Sequence, residues 1–322
     1  MEGLFRNRGY EIQLGAVPIQ TSKGFRWNLD LNYGANSSKV VKLDDEGLIT
    51  SYQLYSSGIQ ILASVGEAYG TLFGTSYVRD ANGNVVVDAN GLPKISTTNK
   101  TLGKFTPDWT GGISNTFSYR SLSLSFLIDA SVGGSIFSNT NKTGKYTGVL
   151  ANTLSGRDAE HGGLWYYTAA MGNNVRLPES PSYSVSSDGL YYAQVNGQST
   201  RVYQDGIMVE GVTESGSKNE EVVSAEKYYH RIYSIAEANV YDASYVKLRE
   251  VALSYRLPRL WTQKLHLQEA SVTLTGRNLW TIYKSVPNID PESALTTGNA
   301  QGVEAYSLPT TRSFGVNLSV KF

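Results

Sequence analysis

Cysteine is absent from the 322 residues, which excludes a disulfide framework and a cysteine-based zinc site and leaves the redox compartment open. Only three histidines occur, His161, His230 and His266, and they are isolated from one another with no metal-ligand spacing. No stretch is apolar for long enough to cross a membrane as a helix, and Met1 opens no signal peptide. An excess of one charge is missing too. The 28 basic side chains balance 28 acidic ones, so no basic field favours nucleic acid. There is no nucleophile elbow, phosphate loop or cofactor fingerprint, and the acidic run Asp44-Asp45-Glu46 reads as a solvated loop. An outer-membrane protease or acyltransferase would need grouped His and Asp, which the sequence lacks. The expectation is a protein that is not an enzyme and needs no cofactor or metal.

What is abundant points elsewhere. Tyr (22) and Gly (32) are plentiful. Amphipathic aromatics suit a membrane–water interface, and Gly suits bulges, turns and close strand contacts. The last residues sharpen this. Phe314, Val316, Leu318, Val320 and Phe322 alternate with Ser313, Gly315, Asn317, Ser319 and Lys321. In a strand such alternation makes one face apolar and the other small or polar. A transmembrane strand needs about 9–11 residues of this kind.

Six further stretches fit the same template. Gly9–Val17 carries Tyr10, Ile12, Leu14 and Ala16 on one face. Phe25–Asn36 carries Phe25, Trp27, Leu29, Leu31 and Tyr33, with aromatics towards the ends and aliphatics between, as two interfacial girdles require. Trp109–Tyr119 and Leu122–Val132 follow, joined only by Arg120-Ser121; Gly111 and Asn115 interrupt the oily side of the first. Ser244–Leu257 is stopped by Pro258. Its apolar phase switches between Leu248 and Val251, which predicts a β-bulge near Arg249–Glu250. Arg259–Glu269 reads as a turn, and Ser271–Trp280 as the sixth strand. The opposite faces of these strands present Glu11, Arg26, Asp30, Asp129 and Arg277, which either line a substrate path or fill a polar lumen.

The connections run short, long, short, long, short, medium. Outer-membrane barrels have short periplasmic turns and long extracellular loops, whereas sandwich turns recur at short regular spacing. The fold class expected is therefore all-β, an antiparallel transmembrane β-barrel with about seven membrane strands in this chain. Seven strands do not close a barrel, and an open edge in lipid is costly. The barrel is expected to be incomplete without strands upstream of Met1, with residues 1–322 forming its C-terminal part.

The long loops offer weaker signals. In Ser37–Asp108, Asp80-Ala-Asn-Gly83 and Asp88-Ala-Asn-Gly91 suggest small hairpins in water on type I′ turns. A calcium loop is disfavoured, since Val85 takes the glycine position and no glutamate closes it. Within Gly133–Ala243, Ser224–Tyr233 looks like a short helix capped by Ser224. Tyr166, Tyr167, Tyr191 and Tyr192 either stack on sugar rings or fold the loops together. Asp290-Pro-Glu292 either binds a cation or partner or makes a turn stiffened by Pro291.

Several stretches in order resemble the C-terminal part of the SusC/RagA family of TonB-linked outer-membrane transporters. They are Asn7-Arg-Gly-Tyr-Glu-Ile12, Pro107-Asp-Trp-Thr-Gly-Gly-Ile113, Val240-Tyr-Asp-Ala-Ser-Tyr-Val-Lys-Leu-Arg-Glu-Val-Ala-Leu-Ser-Tyr-Arg-Leu-Pro258, Gly276-Arg-Asn-Leu-Trp280, Val286-Pro-Asn-Ile-Asp-Pro-Glu292, Pro309-Thr-Thr-Arg-Ser-Phe-Gly315 and the terminal Phe322. The resemblance implies the last third of a barrel of about 22 strands, placed in the outer membrane of a Gram-negative bacterium. It implies uptake of an oligosaccharide or peptide, a SusD-like surface lipoprotein as lid, and barrel assembly machinery acting on the terminal strand. TonB would be reached only through an N-terminal part. The signal peptide, plug and TonB-contacting segment of the family are not in this sequence. The alternatives from the residues alone are a small passive porin and a soluble secreted glycan-binding β protein.

Overall fold

The computed structural model describes residues 3–264 and 266–322. Seven long strands make one antiparallel sheet: β1 (Leu4–Gln20), β2 (Phe25–Lys42), β3 (Trp109–Tyr119), β4 (Leu122–Val132), β5 (Tyr245–Arg256), β6 (Glu269–Lys284) and β7 (Ser313–Lys321). Each pairs with its neighbour in sequence, in the order β1 to β7. These are the seven expected strands, and β3 and β4 have the expected bounds. β1, β2 and β6 run further than expected, because polar residues such as Ser37 and Ser38 continue the ladder opposite Arg8 and Asn7. Pro18 lies inside β1, beyond the expected end of the strand at Val17. The register shifts between Ala16 and Ile19 there, and a bulge tolerates a residue with no N–H to give. Neither β1 nor β7 has a second sheet partner among the described residues, so the sheet has two open edges.

Register fixes which residues share a face. Leu29 lies opposite Asn115, which lies opposite Phe126, which lies opposite Val251. Leu253 lies opposite Leu274, which lies opposite Val316. The oily face is thus continuous across the strands, and nothing among the described residues covers it. Tyr10 is 77% exposed and Phe314 80% exposed. At the end of the sheet beside the short turns, Phe25, Trp27 and Phe117 stack, with Trp27 and Phe117 at 5.7 Å, and Phe126 extends the row towards the middle of the strands. At the other end Tyr33 packs on Trp109, also at 5.7 Å.

Asn115, which interrupts the oily side of β3, is buried, and its Oδ1 accepts the Trp27 indole N–H at 3.0 Å. An apolar replacement would orphan that donor where lipid cannot accept it, at a cost of about 1–3 kcal/mol. Asn115→Leu is therefore expected to lower the melting temperature in detergent although the side chain becomes more apolar. The double variant Trp27→Phe/Asn115→Leu should recover most of the loss.

The expected bulge is present. β5 shifts register against both neighbours between Leu248 and Glu250, which leaves Arg249 as the extra residue. Pro258 ends the strand, but the following segment is a short helix, Arg259–Lys264, rather than only a turn.

The buried core lies in the loops, not under the sheet. Residues 43–108 fold a four-stranded sheet (Ser51–Ser56, Gln60–Ser64, Thr71–Gly74, Lys100–Lys104). Residues 133–244 fold a six-stranded sheet and the helices α1 (Asn139–Thr147) and α2 (Ala225–Tyr233). α2 is the expected helix, and the Ser224 side chain accepts the Lys227 N–H. α1 was not expected; the Ser138 hydroxyl caps its start and Gly148 its end in the left-handed region. Ile59, Ile61, Leu72, Phe137, Ala236 and Val303 pack together, joining both long loops and the 285–312 segment.

The Asn-Gly hairpins differ from expectation in two ways. Gly83 (φ 87°) and Gly91 (φ 76°) are left-handed, while Asn82 and Asn90 are not among the positive-φ residues, so these are not type I′ turns. The Asp80 carboxylate accepts the N–H groups of Asn82 and Asn84 and so stabilises a different turn. Nor do the hairpins stand free in water, because Val87 and Leu92 are buried against Val209 and Val223 of the second long loop.

Candidate functional site

The five polar residues singled out from the strands fall on one face of the sheet, opposite the oily one. Asp30 faces Ser114 across the β2–β3 ladder, Ser114 faces Leu127, Leu127 faces Glu250, and Glu250 faces Arg277. Glu11 and Arg26 share that parity through Gly34 and Gln20. The five do not form one cluster. Arg277 donates from Nε to Glu250 at 2.8 Å, and Asp129 is ion-paired to Arg249 Nε at 2.7 Å. Arg26 Nε donates to Asn28 at 2.8 Å. Glu11 borders an open cavity of about 560 Å³ together with Asn36, Thr110 and Trp109. Glu11, Arg26 and Asp30 form no ion pair among the described residues.

A stronger cluster forms where the Asp290-Pro-Glu292 turn meets β5. Lys247 Nζ lies 2.6 Å from Asp290 Oδ1 and 2.5 Å from Glu292 Oε2. Arg249 grips the other Glu292 oxygen, which also accepts the Tyr245 hydroxyl at 2.9 Å. Asp290 Oδ2 accepts from the Thr310 hydroxyl. Lys247 is 2% exposed. Burial alone would raise the Asp290 pKa, but the Lys247 ammonium and Thr310 hydroxyl outweigh it and bring the carboxyl down to about 2. Glu292 is lowered likewise: burial opposes ionisation, and the Arg249 and Lys247 hydrogen bonds overcome it. The cation this turn holds belongs to the protein's own strand. The arrangement fastens the 285–312 segment over the polar face. Two cations spaced i, i+2 (Lys247, Arg249) meeting two carboxylates spaced i, i+2 (Asp290, Glu292) were the available signal.

The loop tyrosines serve folding. Tyr166 is buried, stacks on Tyr203 at 5.2 Å and donates to Asp205 at 3.2 Å. Tyr167 and Tyr191 pack against a core of Trp165, Ala193 and Val202, and Tyr192 is half-buried. The histidines stay apart: His161 pairs with Asp158 at 2.7 Å and His230 stacks on Tyr146 at 4.1 Å. No group of three or more His, Cys, Asp or Glu is placed to hold a metal among the described residues.

No family model matches the chain. Two curated proteins of Formosa agariphila do. TonB-dependent receptor P3 is 26% identical over 99% of this chain and 29% of its own length. TonB-dependent receptor P26 is 24% identical over the same shares. The chain therefore spans less than a third of the curated relatives it matches. Among solved structures, the RagAB peptide transporter superposes with a TM-score of 0.56 at 19% identity, over 99% of this chain and 30% of that one. The RagAB peptide importer in its "open-open" state gives 0.55 at 16% identity. Sequence and fold comparisons agree: the chain is similar to a part of two TonB-dependent receptors and shares its fold with a part of the RagAB peptide transporter.

Proposed function

We propose that residues 1–322 are the C-terminal part of the barrel of a nutrient importer in the outer membrane of a Gram-negative bacterium, completed by strands from outside this sequence. The observation that carries the reading is the seven-stranded sheet, which among the described residues has two open edges, one oily face left bare and one polar face. A bare apolar face of that extent is stable in lipid, and lipid does not tolerate open strand edges. In this reading the polar face with Glu11, Arg26, Asp30, Asp129 and Arg277 lines the lumen. The terminal strand, with Phe314, Val316, Leu318, Val320 and Phe322, is the segment recognised by the barrel assembly machinery. The cargo is an oligosaccharide or a short peptide. A SusD-like lipoprotein sits over the loop layer, and TonB acts through a part of the protein outside these residues. The similarity to TonB-dependent receptors and to the RagAB peptide transporter supports the energy source and the lid.

The test is uptake of fluorescent oligosaccharides and oligopeptides by cells carrying the intact gene. Uptake of one class is expected to fall at least tenfold when the gene is deleted, and equally when TonB is inactivated. Uptake that persists without TonB but needs the gene would make the protein a passive channel.

A further inference from the structure

A cavity lies in the loop layer, away from the ion-pair cluster. It encloses about 730 Å³, within the range of sites that hold small organic ligands. Tyr77 borders it from the first long loop; α1, the strand Gln198–Met208 and α2 border it from the second.

One group in its wall carries a charge with no counter-charge among the described residues. Lys145 of α1 is only 9% exposed. Its ammonium donates to the Ala238 carbonyl at 2.7 Å and to Asn239 Oδ1 at 3.3 Å, and Ala238 lines the same cavity. An ammonium has three N–H groups, so one remains. Lys145 belongs to no ion pair among the described residues. Buried charges are ordinarily paired, because an uncompensated one is costly. The Tyr241 ring, 5.3 Å away, offers a partial substitute. Burial draws the Lys145 pKa down to about 8, which still leaves it mostly charged at neutral pH. The one carboxylate in the cavity wall, Glu210, is exposed at the rim.

The rest of the lining suits an organic ligand. Tyr77, Tyr228 and Tyr229 contribute aromatic surface. Tyr228 and Tyr229 are packed edge to face at 5.2 Å, and the Tyr229 hydroxyl is held by the Ser155 carbonyl at 3.1 Å. Rings fixed in this way present a preorganised wall.

We propose that this cavity binds a small carboxylate-bearing ligand, its carboxylate on the free N–H of Lys145 and its body against Tyr77, Tyr228 and Tyr229. The same chemistry is offered by an acidic sugar and by the C-terminus of a short peptide. The proposal rests on the importer reading for why such a ligand arrives, not for the binding.

Calorimetry on the protein purified in detergent from outer membranes tests it, with tri-galacturonate against its methyl ester and triglycine against its C-terminal amide. At least one acid is expected to bind ten times more tightly than its neutral counterpart. Binding of the sugar acid alone assigns the site to acidic glycans, and of the peptide alone to peptides. Lys145→Met is expected to erase the preference and Lys145→Arg to keep it. Ser155→Trp, at an exposed position on the cavity wall, should block binding with Lys145 intact, and it decides the matter if the methionine variant does not fold. No preference for either acid, or a preference that survives in Lys145→Met, overturns the proposal. Uptake measured in parallel separates the two readings. Tight acid binding without any uptake counts against the importer, and uptake without acid preference counts against this site.

Discussion

Replacing Lys247 by methionine is expected to release residues 285–312 from the sheet, with cleavage there by a soluble protease rising roughly 100- to 4,000-fold. Lys247 is the shared cation of two carboxylates, and it is almost wholly buried. Methionine keeps its length and loses its charge, which leaves Asp290 buried without a cation and Glu292 with Arg249 as its one remaining cation. Breaking a buried pair from one side costs about 3–5 kcal/mol, because the orphaned charge has no water. Each ~1.4 kcal/mol is a factor of ten in the open population. Removing the stranded charge as well, in Lys247→Met/Asp290→Asn, should restore much of the protection. Barrel assembly, read as heat-modifiable mobility on gels, should be unchanged, since β5 and β6 keep their ladder. Wild-type cleavage rates in the single variant would show that the cluster fastens nothing.

The same fastening has a pH signature. The Asp290 carboxyl has a folded pKa of about 2, below its ordinary value of 3.8. A lowered folded pKa means that the ionised form contributes stability, fully present above the ordinary value and lost as pH falls through the folded one. The segment should therefore resist protease at pH 5 and open between about pH 4 and pH 2, where pepsin can report it. Opening near neutral pH would contradict the pairing.

How much of this was legible in the sequence follows from which interactions are local. The strands of the sheet alternate with period two, and β3 and β4 could be bounded from that alone. The bulge at Arg249 was visible as a phase change between Leu248 and Val251, because one inserted residue turns every later side chain over. The Lys247–Asp290 pair joins residues 43 apart in sequence. A lone acidic turn looks the same whether it meets water or a lysine, and only the assembled fold says which. The loop layer was the least legible part. Many of its strands are three to six residues long, too short for a pattern, and α1 is built mostly from Asn, Thr and Gly, which are poor helix formers. That helix is held by its Ser138 cap and by buried contacts such as Asn141 to the Pro287 carbonyl at 3.0 Å. Of the site residues, the shared face of Glu11, Arg26, Asp30, Asp129 and Arg277 followed from parity, but the partners that occupy Asp129 and Arg277 did not.

The bare face of the sheet sets the second large effect. Phe126→Arg is expected to reduce the inserted, heat-modifiable form by about 30- to 1,000-fold at equilibrium, the equivalent of ~2–4 kcal/mol for a cation near the bilayer midplane. Phe126 sits near the middle of β4, opposite Asn115 and Val251 on the oily face, with its ring 6.1 Å from Phe117. Ser125→Arg, one residue away, places the same charge opposite Thr116 and Ala252 on the polar face. Because a strand turns alternate residues to opposite sides, the two variants differ in little but the medium they meet. If lipid covers one face and water the other, Ser125→Arg should assemble close to normally. If a second protein layer covered the oily face, both variants would disturb packing and the contrast would vanish. The lack of cysteine lets a single introduced thiol report the medium directly. Thiols placed at Leu29, Phe126 and Val316 should react slowly with a water-soluble maleimide and be quenched by lipid-borne labels, whereas one at Ser125 should do the reverse.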